Sequence, residues 1–357
     1  MIGHIGPRRT LIRRHSWKWI AGIVLVTGAV AWWIYHEVVS QNFDWGVLTA
    51  SIASLRWSWV LLSLIPLYGT YYGRALRWAV FLKPLKPEPV MWNLVSATVI
   101  GFTAITLFGR PGEFIRPYLI AVKERLPVTS QLAAWLLERL FDLLMALLLF
   151  GFALAQADAS RLPVGSKLTF VLAVGGKVVG FTSVVLLILL ISFRHFAEPA
   201  RRRITDALRF LPEPKFVRFE RVLTAFVQGI ESTRSDTALL LLFLYSVLEW
   251  LLIAASFWCV AEAFSGIPLT VVDIFILIGF VSFGAVFQVP GIGGGVQIVC
   301  ILVLTQLFGV RLERATAFAF VIWFLTFVAI VPVGLVLALK EGLDWHNLRQ
   351  IGREAAK

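Results

Sequence analysis

Residues 109–117 read Gly-Arg-Pro-Gly-Glu-Phe-Ile-Arg-Pro and follow an apolar run, residues 90–108, long enough to enter a bilayer. Glycine and proline stop a helix, so a chain that has entered the membrane there must turn back. A second break, Pro-Gly-Ile-Gly-Gly-Gly at residues 290–295, interrupts the apolar run that begins at residue 269. Whether these stretches are crossings or hairpins decides the fold. Counting every apolar run as a crossing gives nine: residues 19–35, 57–82, 90–108, 130–155, 168–193, 237–264, 269–289, 296–308 and 315–339. That count puts residues 194–235, with nine Lys or Arg against five acids, on the outer side. Basic residues collect on the cytoplasmic side, so the count fails.

Making residues 90–122 a re-entrant hairpin from the cytoplasmic side, and residues 269–308 one from the outer side, restores the charge bias. The basic N-terminus 1–18, Lys83, Lys86, the 194–235 loop and the tail 340–357 then all lie inside. The expected fold is therefore all-α, one integral membrane domain over residues 1–357, with about six full spans plus two oppositely oriented re-entrant hairpins. Gly101-Phe102 precedes the first break as Gly279-Phe280 precedes the second, and each hairpin leads into a long span. This echo predicts an inverted repeat, with a site near the midplane where the broken helices meet.

Composition supports the same class. The chain is 59% apolar and 15% charged, against roughly 25% charged in globular proteins, which excludes a soluble domain. Its net charge of +12 sits beside apolar runs, where it orients helices and meets anionic lipid, and so excludes nucleic acid as the partner. Arg8, Arg9, Arg13, Arg14 and Lys18 precede the first run, and Trp32, Trp33 and Tyr35 close it. This arrangement is read as an uncleaved anchor, although Ala29 and Ala31 leave signal cleavage open. Cys259 and Cys300 lie in apolar runs and the histidines are scattered, so neither a disulfide framework nor a metal set is expected, and no cofactor is implied.

Several charges sit where a membrane makes them costly. Glu138, Arg139 and Asp142 lie near the middle of the 130–155 run, where each costs roughly 2.5 to 3.5 kcal/mol by insertion scales. On a helix they form one stripe with an ion pair, Arg139 to Asp142, and a spare carboxylate at Glu138. The stripe reads either as a structural lock or as a substrate site. Arg110, Glu113 and Arg116 flank the first break, where freed backbone N–H groups and two guanidinium forks suit a lipid phosphate; the alternative is that they mark the cytoplasmic surface. Arg74 and Arg77 share a helix face near the inner end of their run, as site residues or as snorkelling anchors. Glu249 is central in its run and has no such escape, which suits a proton-coupled or cation-pairing role. Lys177 is near enough to a surface to snorkel. The glycines at 291–295 follow an apolar helix and lack a Lys-Ser/Thr pair, so they form no nucleotide loop.

In order along the chain, Arg74 to Trp78 (Arg-Ala-Leu-Arg-Trp), the 109–117 run, Glu138-Arg139-Leu140-Phe141-Asp142 and the 290–295 break resemble the lysylphosphatidylglycerol synthase transmembrane-region family of flippase-like integral membrane proteins. The resemblance spans roughly residues 19–340. It implies a lipid-handling domain which, in bifunctional members, moves aminoacylated phosphatidylglycerol across the bilayer. Gln297 stands where an acidic residue is expected after the glycine break, and no aminoacyl-transferase domain follows the membrane region, so no catalysis is expected of the chain itself. The expected function is a flippase-like protein of the inner membrane. It would bind a phospholipid or polyprenyl-linked lipid through Arg74, Arg77, Arg110, Glu113, Arg116, Glu138, Arg139, Asp142 and Glu249, as a homo-oligomer or with a partner synthase. An accessory subunit of a lipid pathway ranks second and an intramembrane transferase third. The 194–235 loop is too short for a transferase domain, and its basic helix over residues 216–232 suits an anionic leaflet.

Overall fold

The structure is a computed structural model and describes residues 43–156, 178–186, 188, 192, 199, 201–208, 212–230, 235–285, 288–289 and 293–342. The expected first span, Lys177, much of the 168–193 run and most of the tail lie outside the described residues.

The first helix, α1 (Trp45–Ala53), starts at Asp44, whose carboxylate accepts from the Gly46 and Val47 N–H groups and so satisfies amides that a helix start leaves orphaned. It meets α2 (Trp57–Leu82) at a 74° bend. The 26 residues of α2 include Pro66, which a buried helix tolerates when its neighbours satisfy the freed backbone groups. Next come α3 (Met91–Phe108), a 3-10 turn (Arg110–Phe114), α4 (Ile115–Glu124) and α5 (Val128–Gln156). At 29 residues α5 is about 43 Å long and carries Glu138, Arg139 and Asp142. The amphipathic α6 (Glu213–Ile230) packs on α5, burying Ala225 and Val227 while Val217 and Val222 stay exposed. Ser235 caps α7 (Asp236–Ala263), and a Thr270–Asp273 capping box starts α8 (Val271–Gly284).

Among the described residues, α3, α7 and the 29-residue stretch Leu312–Lys340 are long and apolar enough to cross a membrane, and α1 with α2 makes a fourth candidate. By contrast α8, of 14 residues, and α9 (Gly295–Gln306), of 12, fall short of the roughly 30 Å hydrocarbon core at about 1.5 Å per residue. They lie against each other as a hairpin: a Cβ added to Gly284 would fall 2.5 Å from the Gly295 carbonyl oxygen. Its tip holds a two-residue antiparallel ladder, β1 (Gln288–Val289) with β2 (Gly293–Gly294), a feature the all-helical expectation did not include.

The 90–122 stretch also folds back on itself, because Gly109 adopts φ 70° and ψ −146°, a conformation closed to L side chains. Gly294 plays the same part at the second tip with φ 124°, and its N–H donates to Gln297 Oε1 at 2.7 Å. In the first hairpin a Cβ on Gly101 would sit 2.5 Å from Arg116 Cβ, and one on Gly112 would run into the Ala104 carbonyl. Gly112→Ala is therefore expected to lose about 1 to 3 kcal/mol as an overpacked contact, read as a lower unfolding temperature in detergent. The echo between Gly101 and Gly279 is not repeated in the packing, since Gly279 meets Phe150 of α5 rather than its own hairpin partner.

The expected 315–339 span is three pieces: α10 (Leu312–Trp323), a wide π turn (Phe324–Val328) and α11 (Ile330–Lys340). Carbonyls in and just after the turn accept from neighbours: Phe327 from Thr106 (3.1 Å), Ala329 from the Tyr68 hydroxyl (2.9 Å) and Ile330 from Thr103 (3.4 Å). Gly334 then faces Thr103, with no space for a Cβ.

Ion pairs mark two ends of the bundle. Where α2 ends, α3 begins and α4 and α11 end, Glu124 accepts from Lys86 (2.6 Å) and Asn93 (2.7 Å), and Lys123 pairs with Glu341 (2.6 Å). Where α2 begins, α7 ends and α10 begins, Arg56 pairs with Glu262 (3.2 Å) and the Asp44 N–H donates to Glu313 (3.3 Å). The first hairpin is rooted at the former end, the second follows α7 at the latter, and Arg110 at the first tip donates to the Ala285 carbonyl at the second (3.1 Å).

Candidate functional site

Four helices bring their charges to one place. The antiparallel pair α2 and α7 makes the most extensive helix contact of the molecule, and it sets Arg74 and Arg77 against Glu249. Arg74 lies 2.5 Å from Glu249, 3.6 Å from Asp142 and 3.9 Å from Glu138. Arg77 lies 2.7 Å from Asp142, 2.8 Å from Glu138 and 3.3 Å from Glu249, and it donates to Ser246 Oγ at 3.0 Å. From α4, Arg116 pairs with Glu138. On α5, Arg139 lies 3.4 Å from Asp142 and 3.5 Å from Glu138. Among the described residues four guanidiniums thus face three carboxylates, leaving one formal positive charge.

Burial makes that imbalance matter. The side chains of Arg77, Glu138 and Glu249 are 0% exposed, that of Arg116 4%, and only Arg139, at 38%, reaches outward. Aromatic faces line the cations: Arg74 sits over Phe102 (4.7 Å) and Arg116 over Trp78 (4.8 Å), contacts that stabilise a cation by about 0.5 to 2 kcal/mol. Among the described residues no three of His, Cys, Asp or Glu are placed to hold a metal ion.

The structure revises several expectations. Arg74 and Arg77 do not snorkel to a surface; they form the centre of the cluster because α5 and α7 offer them carboxylates. Glu138 is no spare carboxylate, since Arg77 and Arg116 both hold it. Arg110 and Arg116 flank the same break but diverge. Arg116 turns inward, which removes the surface-marker reading for it, while Arg110 is half exposed and pairs with Glu113 at 2.5 Å. The guanidinium that joins Arg116 at a common pocket is Arg139. Gly101, Phe102, Ile105, Glu113, Arg116, Trp135 and Arg139 line this small pocket, whose cavity volume of about 10 Å³ is room for about one water. The sequence reading missed Trp78, Phe102, Trp135 and Ser246. The Arg77-Trp78 pair was a usable signal, because a tryptophan beside a buried arginine supplies a face for a second cation. Glu124 was missed as well, and it ties the root of the first hairpin together.

Apolar helices of spanning length, short helices paired as hairpins and a charge cluster buried between them define a multi-pass helical membrane protein. The chain belongs to the lysylphosphatidylglycerol synthase TM region family, whose profile matches residues 19–334 and so includes every residue of the cluster. No curated protein and no solved structure matches it.

Proposed function

We propose that the protein binds the head group of a membrane phospholipid or polyprenyl-linked lipid at the Arg116 side of the cluster and moves it across the bilayer, without catalysing a reaction of its own. The observation that carries this reading is a buried seven-residue charge cluster with one positive charge in excess among the described residues, beside a small pocket at the turn of a hairpin. Intramembrane ionisable groups mark substrate paths by default, and here they lie beside the break in a hairpin. In this reading the two hairpins dip from opposite faces as halves of an inverted repeat. The separate ends at which they are rooted and the Arg110 bond between their tips support it. The test is liposome reconstitution with fluorescent lipids, reading transbilayer movement and product formation together. Movement without product supports the proposal, and a product with no movement overturns it.

The proposed orientation puts the end carrying Lys86, Lys123 and Glu341 in the cytoplasm, because basic loop residues favour that side. In a background lacking Cys259 and Cys300, a cysteine replacing the exposed Glu88 is expected to react with an impermeant thiol reagent only after the cells are opened. Labelling of intact cells would reverse the topology.

A further inference from the structure

The nine residues of α1 meet α2 at a 74° bend and need not share its path. At 26 residues α2 is about 39 Å long, and it covers the roughly 30 Å hydrocarbon core by itself. Both ends of α1 are tied to one end of the bundle. At its start the Asp44 N–H donates to Glu313 in the first turn of α10, and just past its end the Arg56 N–H donates to the carbonyl of Ala263, the last residue of α7 (3.1 Å). The Arg56 side chain pairs with Glu262 and lies over Trp59 (5.9 Å), so packing holds the bend. The end of α7 and the start of α10 lie at one level, since a Cβ on Gly266 would fall 2.5 Å from the Arg314 guanidinium. A helix tied to both therefore runs across the bundle rather than through the bilayer.

The two sides of α1 differ in what they meet. Val47, Leu48 and Ser51 share one side and are half-buried, chiefly against α10. Trp45, Gly46, Thr49, Ala50, Ile52 and Ala53 make the other side, which is exposed and carries no charged group. The Thr49 hydroxyl donates back to the Trp45 carbonyl (3.0 Å), so this polar group is satisfied within the helix. Such a face gains nothing from water, whereas at the boundary between head groups and acyl chains its apolar atoms leave water. Trp57 and Trp258 are exposed at the same end, and Trp258 donates its indole N–H to Glu262 (3.2 Å), as a tryptophan does where one edge is apolar and the other wet. We infer that α1 is an interfacial helix whose free face docks on the head-group boundary of the leaflet at this end, so that its partner is the lipid surface itself. Apolar area rather than lipid charge holds it there, because the face carries no charge. The docking is independent of lipid movement by the bundle. In the orientation proposed above, the leaflet is the outer one.

The test is the depth of nitroxide labels on the full chain, with Cys259 and Cys300 replaced by alanine, in phosphatidylcholine bilayers. Depth is read from collisions with oxygen, which concentrates among the acyl chains, against collisions with a water-soluble nickel chelate. Trp45→Cys and Ile52→Cys place labels on one side of α1, seven residues apart. Thr49→Cys and Ala53→Cys form a second pair that leaves Trp45 in place. All four positions are exposed, so the fold is expected to survive each change. Should Cys300→Ala fail to fold, the same labels in a background that keeps this fully buried cysteine give the same reading. A docked helix puts both members of each pair at one depth, just below the head groups. A helix leading into the span separates the labels at positions 45 and 52 by about 10 Å in depth, at 1.5 Å per residue, and overturns the inference. Labels that meet the chelate as freely as one at the exposed Glu88 put α1 in water and overturn it too. Labels shielded from both reagents, with spin–spin broadening, give the face to a second copy of the chain, which equally overturns it.

Discussion

Glu138→Gln is expected to be the most damaging single change in the cluster, costing about 3 to 5 kcal/mol of stability, as one-sided removal of a buried ion pair does. Among the described residues Glu138 is the one carboxylate paired with Arg116, and it also holds Arg77 at 2.8 Å. Losing it leaves four guanidiniums against two carboxylates, with Arg116 surrounded by other cations in a buried place. Arg77→Leu removes the most central guanidinium but leaves three cations against three carboxylates, each carboxylate still having a partner in Arg74, Arg116 or Arg139. Its expected cost is therefore smaller, about 1 to 3 kcal/mol for the acceptors left short of a donor. Thermal unfolding of the two variants side by side in detergent gives the order. If Arg77→Leu proves the worse, hydrogen-bond geometry rather than charge balance governs the cluster.

The second large effect separates a lock from a site. Asp142→Leu alone raises the buried charge imbalance and should destabilise strongly, whereas Arg139→Leu with Asp142→Leu restores the original balance and should recover most of the loss. Transport is expected to stay lost in the double variant, because Arg139 lines the pocket beside which the head group is proposed to bind. Thermal stability and liposome lipid movement measured on the same preparations decide the matter. Recovery of both shows that the stripe on α5 serves only to hold helices together.

Much of this arrangement was legible in the sequence. The 57–82 run coincides with α2 residue for residue, and the turn at Gly109 was marked by its glycine and proline. The charges of the cluster were visible because apolar surroundings make any charge conspicuous. Their partners were not. Arg77 lies five residues from the end of its helix, where an anchor and a core residue look alike, and only the packing of α2 on α5 and α7 decides between them. The helix α7 is so uniformly apolar that no periodicity shows which side Glu249 faces. At the second hairpin tip the ladder depends on Gly294 reaching φ 124°, a freedom glycine permits but does not impose.

The π turn at Phe324–Val328 was the least legible, since no residue within it breaks a helix. Such a turn amounts to a helix carrying one surplus residue. Elsewhere in a packed helix, deleting a residue rotates everything beyond the cut by about 100° and turns each side chain away from its partner. Here a deletion has somewhere to go. Loss of Thr326 would let the backbone close into an ordinary helix, giving up the hydrogen bonds from Thr106 and Tyr68 while leaving Gly334 in line with Thr103. Length variation within this helix is therefore best absorbed at those five residues, in a stretch where transmembrane helices otherwise tolerate neither gain nor loss.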